Sequence, residues 1–179
     1  MALSDAELLE QARRGNERSF HELVDRYGDE LFRLARALLG HTADAEDTLQ
    51  ETFLGAFQSM RRFEGRSSVR TWLTRILVRQ AALRRRKRNR AVAFPDGSSE
   101  RVRTASAGDP TDAMDLKVDF EAALQRLSLE HREVIMLRQV QGLSYQEIAG
   151  VLNVPRGTVE SRLHRARGAL RILLDDYRP

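Results

Sequence analysis

Between Arg61 and Arg90 the chain carries 12 basic residues and a single acidic one, Glu64. All but one of those cations are arginines, which stay protonated at any accessible pH and so bind phosphate rather than move protons. The residue types that do carry out proton transfer are present but not assembled. His21, His41, His131 and His164 are scattered, and there is no H-E-x-x-H pair, Walker A sequence or G-x-G-x-x-G loop. Asp109, Asp112, Asp115 and Asp119 lack the spacing of a calcium loop and fall where a helix should begin. With no cysteine, thiol catalysis, disulfides and cysteine-ligated zinc are all excluded. The expectation is a protein that is no enzyme and uses neither cofactor nor metal.

The charge is distributed unevenly. Residues 1–60 hold 6 basic and 12 acidic side chains, so the overall +4 conceals an acidic first third followed by a block of +11. No run of apolar residues is long enough to cross a bilayer, and Met1-Ala2-Leu3-Ser4-Asp5 lacks the basic-then-apolar plan of a signal peptide. A cytoplasmic protein without membrane insertion is expected.

Helices must position these charges. Ser4-Asp5-Ala6-Glu7 has the form of a capping box and opens a short first helix that stops at Gly15-Asn16. Phe20, Leu23, Val24, Tyr27, Leu31, Leu34, Ala35 and Leu38 recur every three or four residues, as one apolar face of a long helix ended by Gly40. The same spacing joins Leu49, Phe53, Ala56, Phe57 and Met60 in a third helix, and Val69, Trp72, Leu73, Ile76, Leu77 and Leu83 in a fourth. Residues 1–90 are therefore read as a four-helix bundle. From Ala91 to Asp112 the periodicity stops among Pro95, Gly97, Ser98, Ser99, Gly108 and Pro110, which reads as a flexible linker. Residues 113–179 form a second helical domain: Met114, Val118, Ala122 and Leu124, then Val134, Ile135, Leu137 and Val140, resume the pattern until Gly142. The fold class is all-α.

Ser144-Tyr145-Gln146-Glu147 is a second capping box. It opens a helix with Ile148, Ala149 and Leu152 inward; Asn153-Val154-Pro155 turns the chain, and a last helix buries Val159, Leu163, Ala166 and Leu170. Two short helices about a three-residue turn, with small Ala149 at the close approach, form a helix-turn-helix signature. Phasing the last helix leaves Glu160, Ser161, His164, Arg165 and Gly168 on its opposite face, suited to base edges, with Arg162 and Arg167 flanking them where long cations reach phosphates. In the fourth helix the same phasing leaves Arg75, Arg79, Ala82 and Arg86 as an outward stripe. Trp72 lies on the border between stripe and core, open either to burial or to stacking on a base. In the third, Asp47, Gln50, Glu51 and Leu54 share a side whose mixture of acid, amide and leucine exceeds what the helix dipole alone would favour.

Gly142-Leu143-Ser144-Tyr145-Gln146-Glu147-Ile148-Ala149, with Pro155-Arg156-Gly157-Thr158-Val159-Glu160-Ser161-Arg162-Leu163-His164-Arg165-Ala166-Arg167, closely resembles region four of the sigma-70 family, in its compact extracytoplasmic-function (ECF) type. Phe63-Glu64-Gly65-Arg66-Ser67-Ser68, ahead of Val69-Arg70-Thr71-Trp72, resembles the promoter-melting segment of region two, and Asp44 to Phe53 resembles region 2.2. The resemblance implies a promoter-specific transcription initiation factor. Its −35 reader would comprise Arg156, Thr158, Glu160, Ser161, Arg162, His164, Arg165 and Arg167. Its −10 surface would comprise Phe63, Gly65, Arg66, Ser67, Ser68, Trp72, Arg75, Arg79 and Arg86. Asp47, Gln50, Glu51 and Leu54 would dock core RNA polymerase at the β′ clamp helices. The implied partners are that polymerase, including its β flap, promoter DNA and an anti-sigma factor. Glu160 and Arg79 depart from residues frequent in relatives, Arg and Asn respectively, and Arg66 stands where an acidic residue is frequent. The competing reading is a free-standing helix-turn-helix regulator, which would need neither the loop at Phe63 nor the face at Leu54.

Overall fold

The computed structural model describes residues 3–93 and 120–175, and every regular element in them is helical. The connecting stretch expected from Ala91 lies outside the described residues except for 91–93, which extend the fourth helix; Met114, Val118 and the four acidic residues from Asp109 to Asp119 also lie outside.

Helix α1 spans Asp5–Arg13, and its capping box forms as expected: the Glu7 amide donates to Ser4 Oγ while the Ser4 amide donates to Glu7 Oε2 at 2.8 Å. The Tyr27 hydroxyl and the Arg26 guanidinium both donate to Asp5, fastening α1 to α2, Glu17–Leu39. Burial, followed by the bond to Asp5, pushes the Tyr27 hydroxyl up to about 12, so it stays a donor throughout the physiological range. Gly40, at φ +77°, ends α2 in the left-handed conformation that a residue with a Cβ adopts only at a cost.

Helix α3, Thr42–Ser59, differs from the expected phase. Its inward line is Ala45, Thr48, Thr52 and Ala56, while Leu49 and Phe53 flank the core and Phe57 is exposed, touching Phe20 edge to face at 5.2 Å. Small side chains let α3 approach both α2 and α4 closely. Thr52 can be buried because its hydroxyl donates to the Thr48 carbonyl, 2.7 Å away, at little cost in unmet polarity.

A single 3₁₀ turn, Met60–Arg62, leads into the loop before α4, Val69–Ala93. Val69, Leu73, Leu77 and Ala81 form the core edge of α4. Leu83, expected inward, is exposed, because it falls on the far side of the helix with Trp72 and Ile76.

Residues 120–126 are helical, designated α5, and Ser128 caps a fresh start at α6, Leu129–Gln139, which the periodicity did not signal. Helix α7, Tyr145–Leu152, carries the second capping box, and Asn153 in the left-handed region turns the chain into α8, Arg156–Asp175. Helices α6 and α7 pack on α2 and α4, so the apolar core is one continuous cluster rather than two isolated ones.

Leu31 is 1% exposed and Leu54 is 57% exposed. Leu31→Ala should therefore lower unfolding stability by about 2–5 kcal/mol in chemical denaturation, while Leu54→Ala should change it by well under about 1 kcal/mol.

Candidate nucleic-acid interface

Helix α4 is divided around its circumference by its period. Next to the core edge runs a line of Thr71, Thr74, Val78 and Arg85, and beyond that the outward stripe. Arg75, Arg79 and Arg86 are exposed there, with Ala82 half-buried between them, so the three cations share one open face as their spacing requires. The basic run that follows is less uniform than its sequence. Arg84 reaches Asp44 and Asp47 at 3.1 and 2.8 Å, Arg88 lies 3.5 Å from Asp44, and Arg85 lies 3.2 Å from Glu133. These arginines tie helices together, which separates them from Arg86.

The loop before α4 is turned by Gly65 at φ +70°, a conformation that disfavours a larger residue. Ser68 Oγ accepts from the Thr71 amide at 3.1 Å, fixing the start of α4. Phe63 packs on Trp72 with ring centroids 5.0 Å apart and a 44° tilt; both rings remain half-buried, so Trp72 is neither sealed in the core nor free. A cavity of about 220 Å³ lies beside them, lined by Ser59, Arg62, Phe63, Glu64, Arg66, Ser67, Trp72 and Arg75. Arg66 is 86% exposed and its guanidinium lies 2.6 Å from Glu64. A second, larger cavity of about 790 Å³ adjoins it across Arg62, Phe63 and Glu64, and brings in Arg13 and Arg61. Arg13 donates to the Arg61 carbonyl at 3.3 Å. Arg13, Arg61 and Arg62 were not among the residues singled out from sequence; the Arg61-Arg62 pair directly before Phe63 was the available signal, whereas Arg13 arrives only through the packing of α1. Aromatic walls ringed by cations suit unstacked nucleotides, with base faces on the rings and phosphates on the guanidinium groups.

On α8, Val159, Leu163 and Ala166 are fully buried, and Glu160, Ser161, His164, Arg165, Arg167 and Gly168 face out. Arg156 donates to Glu160 at 2.9 Å, so the one carboxylate on this face has its charge countered by a neighbour one turn away. Ser161 donates to the Thr158 carbonyl at 3.0 Å, leaving its lone pairs outward. Arg162 departs from the expectation of an outward flanking cation. It turns back onto α6, 3.0 Å from Glu130, and is largely covered. Its charge is satisfied within the domain, which leaves Arg167 as the exposed member of the flanking pair.

On α3, Asp47, Gln50, Glu51 and Leu54 all lie exposed on one side. Leu54, 57% exposed, is the one large apolar side chain of this face. Among the described residues no cluster of His, Asp or Glu is arranged to hold a metal, and no helix is long and apolar enough to cross a membrane.

Fold and site together define a helical DNA-binding protein with two separate basic surfaces, one on a helix-turn-helix and one beside an aromatic loop. Residues 23–91 match the family described as Sigma-70 region 2, and residues 117–170 match Sigma-70, region 4. The ECF RNA polymerase sigma factor SigW of Bacillus subtilis is 32% identical over 178 residues, spanning 94% of this chain and 95% of that protein. SigE of Mycolicibacterium smegmatis, also an ECF RNA polymerase sigma factor, is 39% identical over 86% of this chain, a match that spans 60% of the longer relative. Among solved structures, the sigma factor RpoE of Bartonella quintana, in complex with the anti-sigma factor NepR, aligns with a TM-score of 0.76 at 32% identity, covering 90% of this chain and 99% of that one. CnrH in complex with the cytosolic domain of CnrY aligns at 0.71 and 31% identity over 96% of this chain and 97% of that one. The chain belongs to the sigma-70 family of RNA polymerase sigma factors, in its ECF branch, and serves promoter-specific transcription initiation.

Glu147 caps α7 and ties it to α4. It accepts from the Ser144 amide at 2.9 Å, from the Ser144 hydroxyl and from Thr71 Oγ1, and these bonds, the amide first, hold its carboxyl below the usual range of 4.5. A carboxyl with a lowered folded pKa contributes stability above its unfolded value that is lost as pH falls through the folded one. Thermal melts of the wild type between pH 6 and pH 3 should therefore lose more stability than Glu147→Gln does over the same range. Equal losses would show that the cap is not what acid removes.

Proposed function

We propose that residues 1–90 form the unit that docks core polymerase and opens the −10 element, that 113–179 form the unit that reads the −35 element, and that 91–112 connect them. One observation carries this reading: a single chain exposes three chemically distinct faces on helices that its core holds in fixed phase. The face at Asp47, Gln50, Glu51 and Leu54 takes the polymerase β′ clamp helices, and the C-terminal unit faces the β flap. Phe63, Gly65, Arg66, Ser67 and Ser68 enclose an extruded base, with Trp72 stacking beside it and Arg75, Arg79 and Arg86 holding the strand. Ser161, His164 and Arg165 read base edges, while Arg156, Thr158 and Arg167 position the helix. Arg162 serves by steadying α8 against Glu130. Arg156 holds Glu160 in place to accept from a base amino group.

The chain does no covalent chemistry of its own, needs no cofactor, works in the bacterial cytoplasm and is held inactive by an anti-sigma factor. The sigma factor RpoE of Bartonella quintana, solved in complex with the anti-sigma factor NepR, supports the last point. A free-standing regulator would have no use for the exposed Leu54 face or the aromatic loop.

Reconstituted core polymerase with this chain should give specific starts on a genomic promoter library, and Leu54→Ala should reduce them at least tenfold by weakening assembly. Starts that do not depend on the chain would overturn the reading. For the helix-turn-helix, Arg165→Ala should alter base preference, whereas Arg167→Ala should weaken all sites alike and reduce the salt slope by roughly one. Identical behaviour of the two variants would refute the division between reading and positioning.

A further inference from the structure

Leu83 of α4 is 49% exposed and takes no place in the core. Its neighbours follow from the helical period. Arg79 lies one turn before it, Lys87 one turn after and Arg86 three residues on, and all three are exposed. Viewed down the axis, Arg79 falls about 40° to one side of Leu83 and Lys87 about 40° to the other, so the leucine stands inside a row of cations and not at its margin. Ile76 and Trp72 continue the same line toward the loop. Ile76 lies against Gly55 of α3 and Trp72 packs on Phe63, and both are half-buried, which leaves Leu83 as the open apolar position of the line.

The charge around Leu83 decides what kind of partner it meets. Leu54 of α3 is also exposed, but it stands among Asp47, Gln50 and Glu51. Arg84 and Arg88 are paired with Asp44 and Asp47, whereas Arg79, Arg86 and Lys87 enter no ion pair among the described residues. Three open cations about a leucine attract a polyanion. Yet a leucine contributes nothing to a phosphate contact, since it has neither charge nor donor. The one apolar group that a base pair presents in the major groove is the C5-methyl of thymine. Spacing agrees with that target: Arg79 and Arg86 are separated by about 10.5 Å along the helix, near the groove width of about 12 Å. Cations at that separation rest on the phosphate walls while the side chain between them reaches the base edges.

We propose that Leu83 is a specificity-determining residue that reads the methyl group of a thymine in duplex still paired, beside the segment opened at Phe63 to Ser68. The inference rests on the −10 reading above, and it adds base choice to a helix otherwise assigned to holding the strand. Leu83 lies 14 residues beyond Val69, the first residue of α4, so it is about 21 Å along the rod from the loop. That is less than one turn of duplex, about 34 Å. Enclosing a methyl group against Leu83 takes apolar surface of both partners out of water, and a contact of that size favours thymine about fourfold.

Deoxyuridine pairs as thymidine does and lacks only the methyl, so it isolates the contact. Core polymerase with the full chain is bound to a promoter recovered from the start-site library, each thymine of the footprint being replaced in turn by uracil. At one paired position within a turn of the opened segment, uracil should weaken the wild-type complex about fourfold and the Leu83→Ala complex by less than about 1.5-fold. Leu83→Met, which keeps an apolar side chain, should retain the preference for thymine. No uracil effect at any such position, or an equal effect in wild type and Leu83→Ala, would overturn the proposal. So would a loss in Leu83→Ala of the same size on thymine and uracil promoters, which would place Leu83 against the polymerase. Chain-dependent complexes in which no thymine becomes reactive to permanganate would instead strike at the −10 reading, since the uracil comparison is made on paired DNA.

Discussion

The structure depends first on burial of one edge of α4, Val69, Leu73, Leu77 and Ala81, against α2 and α3. A helix has a single rotational setting once that edge is committed. Everything else on α4 follows at fixed angles: the hydroxyl line of Thr71 and Thr74 to one side, the cations Arg75, Arg79 and Arg86 next, and Trp72 with Leu83 beyond. Arg84 and Arg88 then lock the helix to Asp44 on α3. Apolar packing thus decides where this row of cations stands, and it does so on a rigid rod that fixes their spacing.

The second unit obeys a similar constraint. Val159, Leu163 and Ala166 commit α8 to one phase, and the short polar and basic residues face outward as a consequence. Ion pairs refine this surface. Arg156 counters Glu160 and Glu130 withdraws Arg162, so the positive charge exposed on α8 is narrower than a count of its arginines would indicate. Exposed pairs of this sort contribute little to stability, and their effect lies in fixing where side chains point.

The four helices of the N-terminal bundle, both capping boxes and the exposed faces were legible in the sequence because each depends on local spacing or on a few adjacent residues, whereas the break between α5 and α6 at Ser128 was not. The inward line of α3 was not. Hydrophobicity favours Leu49 and Phe57, while close approach of three helices favours Ala45, Thr48, Thr52 and Ala56, and a threonine that satisfies itself on its own helix is indistinguishable in sequence from a solvated one. Arg162 misled for the opposite reason, since its phase allows an outward reach that Glu130, 32 positions away, withdraws. The contact of α4 with the turn after α6 was wholly hidden: Thr74 and Gln141 are ordinary polar residues until the fold brings them together from 67 positions apart. The residues around Phe63 were singled out by family wording, but the approach of α1 through Arg13 required tertiary structure.

The central claim is that α4 holds an aromatic loop and a phosphate-binding stripe in one fixed relation so that the loop can take a base out of the duplex. Permanganate reactivity of unpaired thymines on promoter DNA, with core polymerase and this chain both present, tests it most directly. Reactive thymines should appear at the downstream element only when the chain is added, and Phe63→Ala should abolish them while the polymerase–promoter complex still forms. Thymines that open equally well with Phe63→Ala, or loss of the complex itself in that variant, would contradict the account.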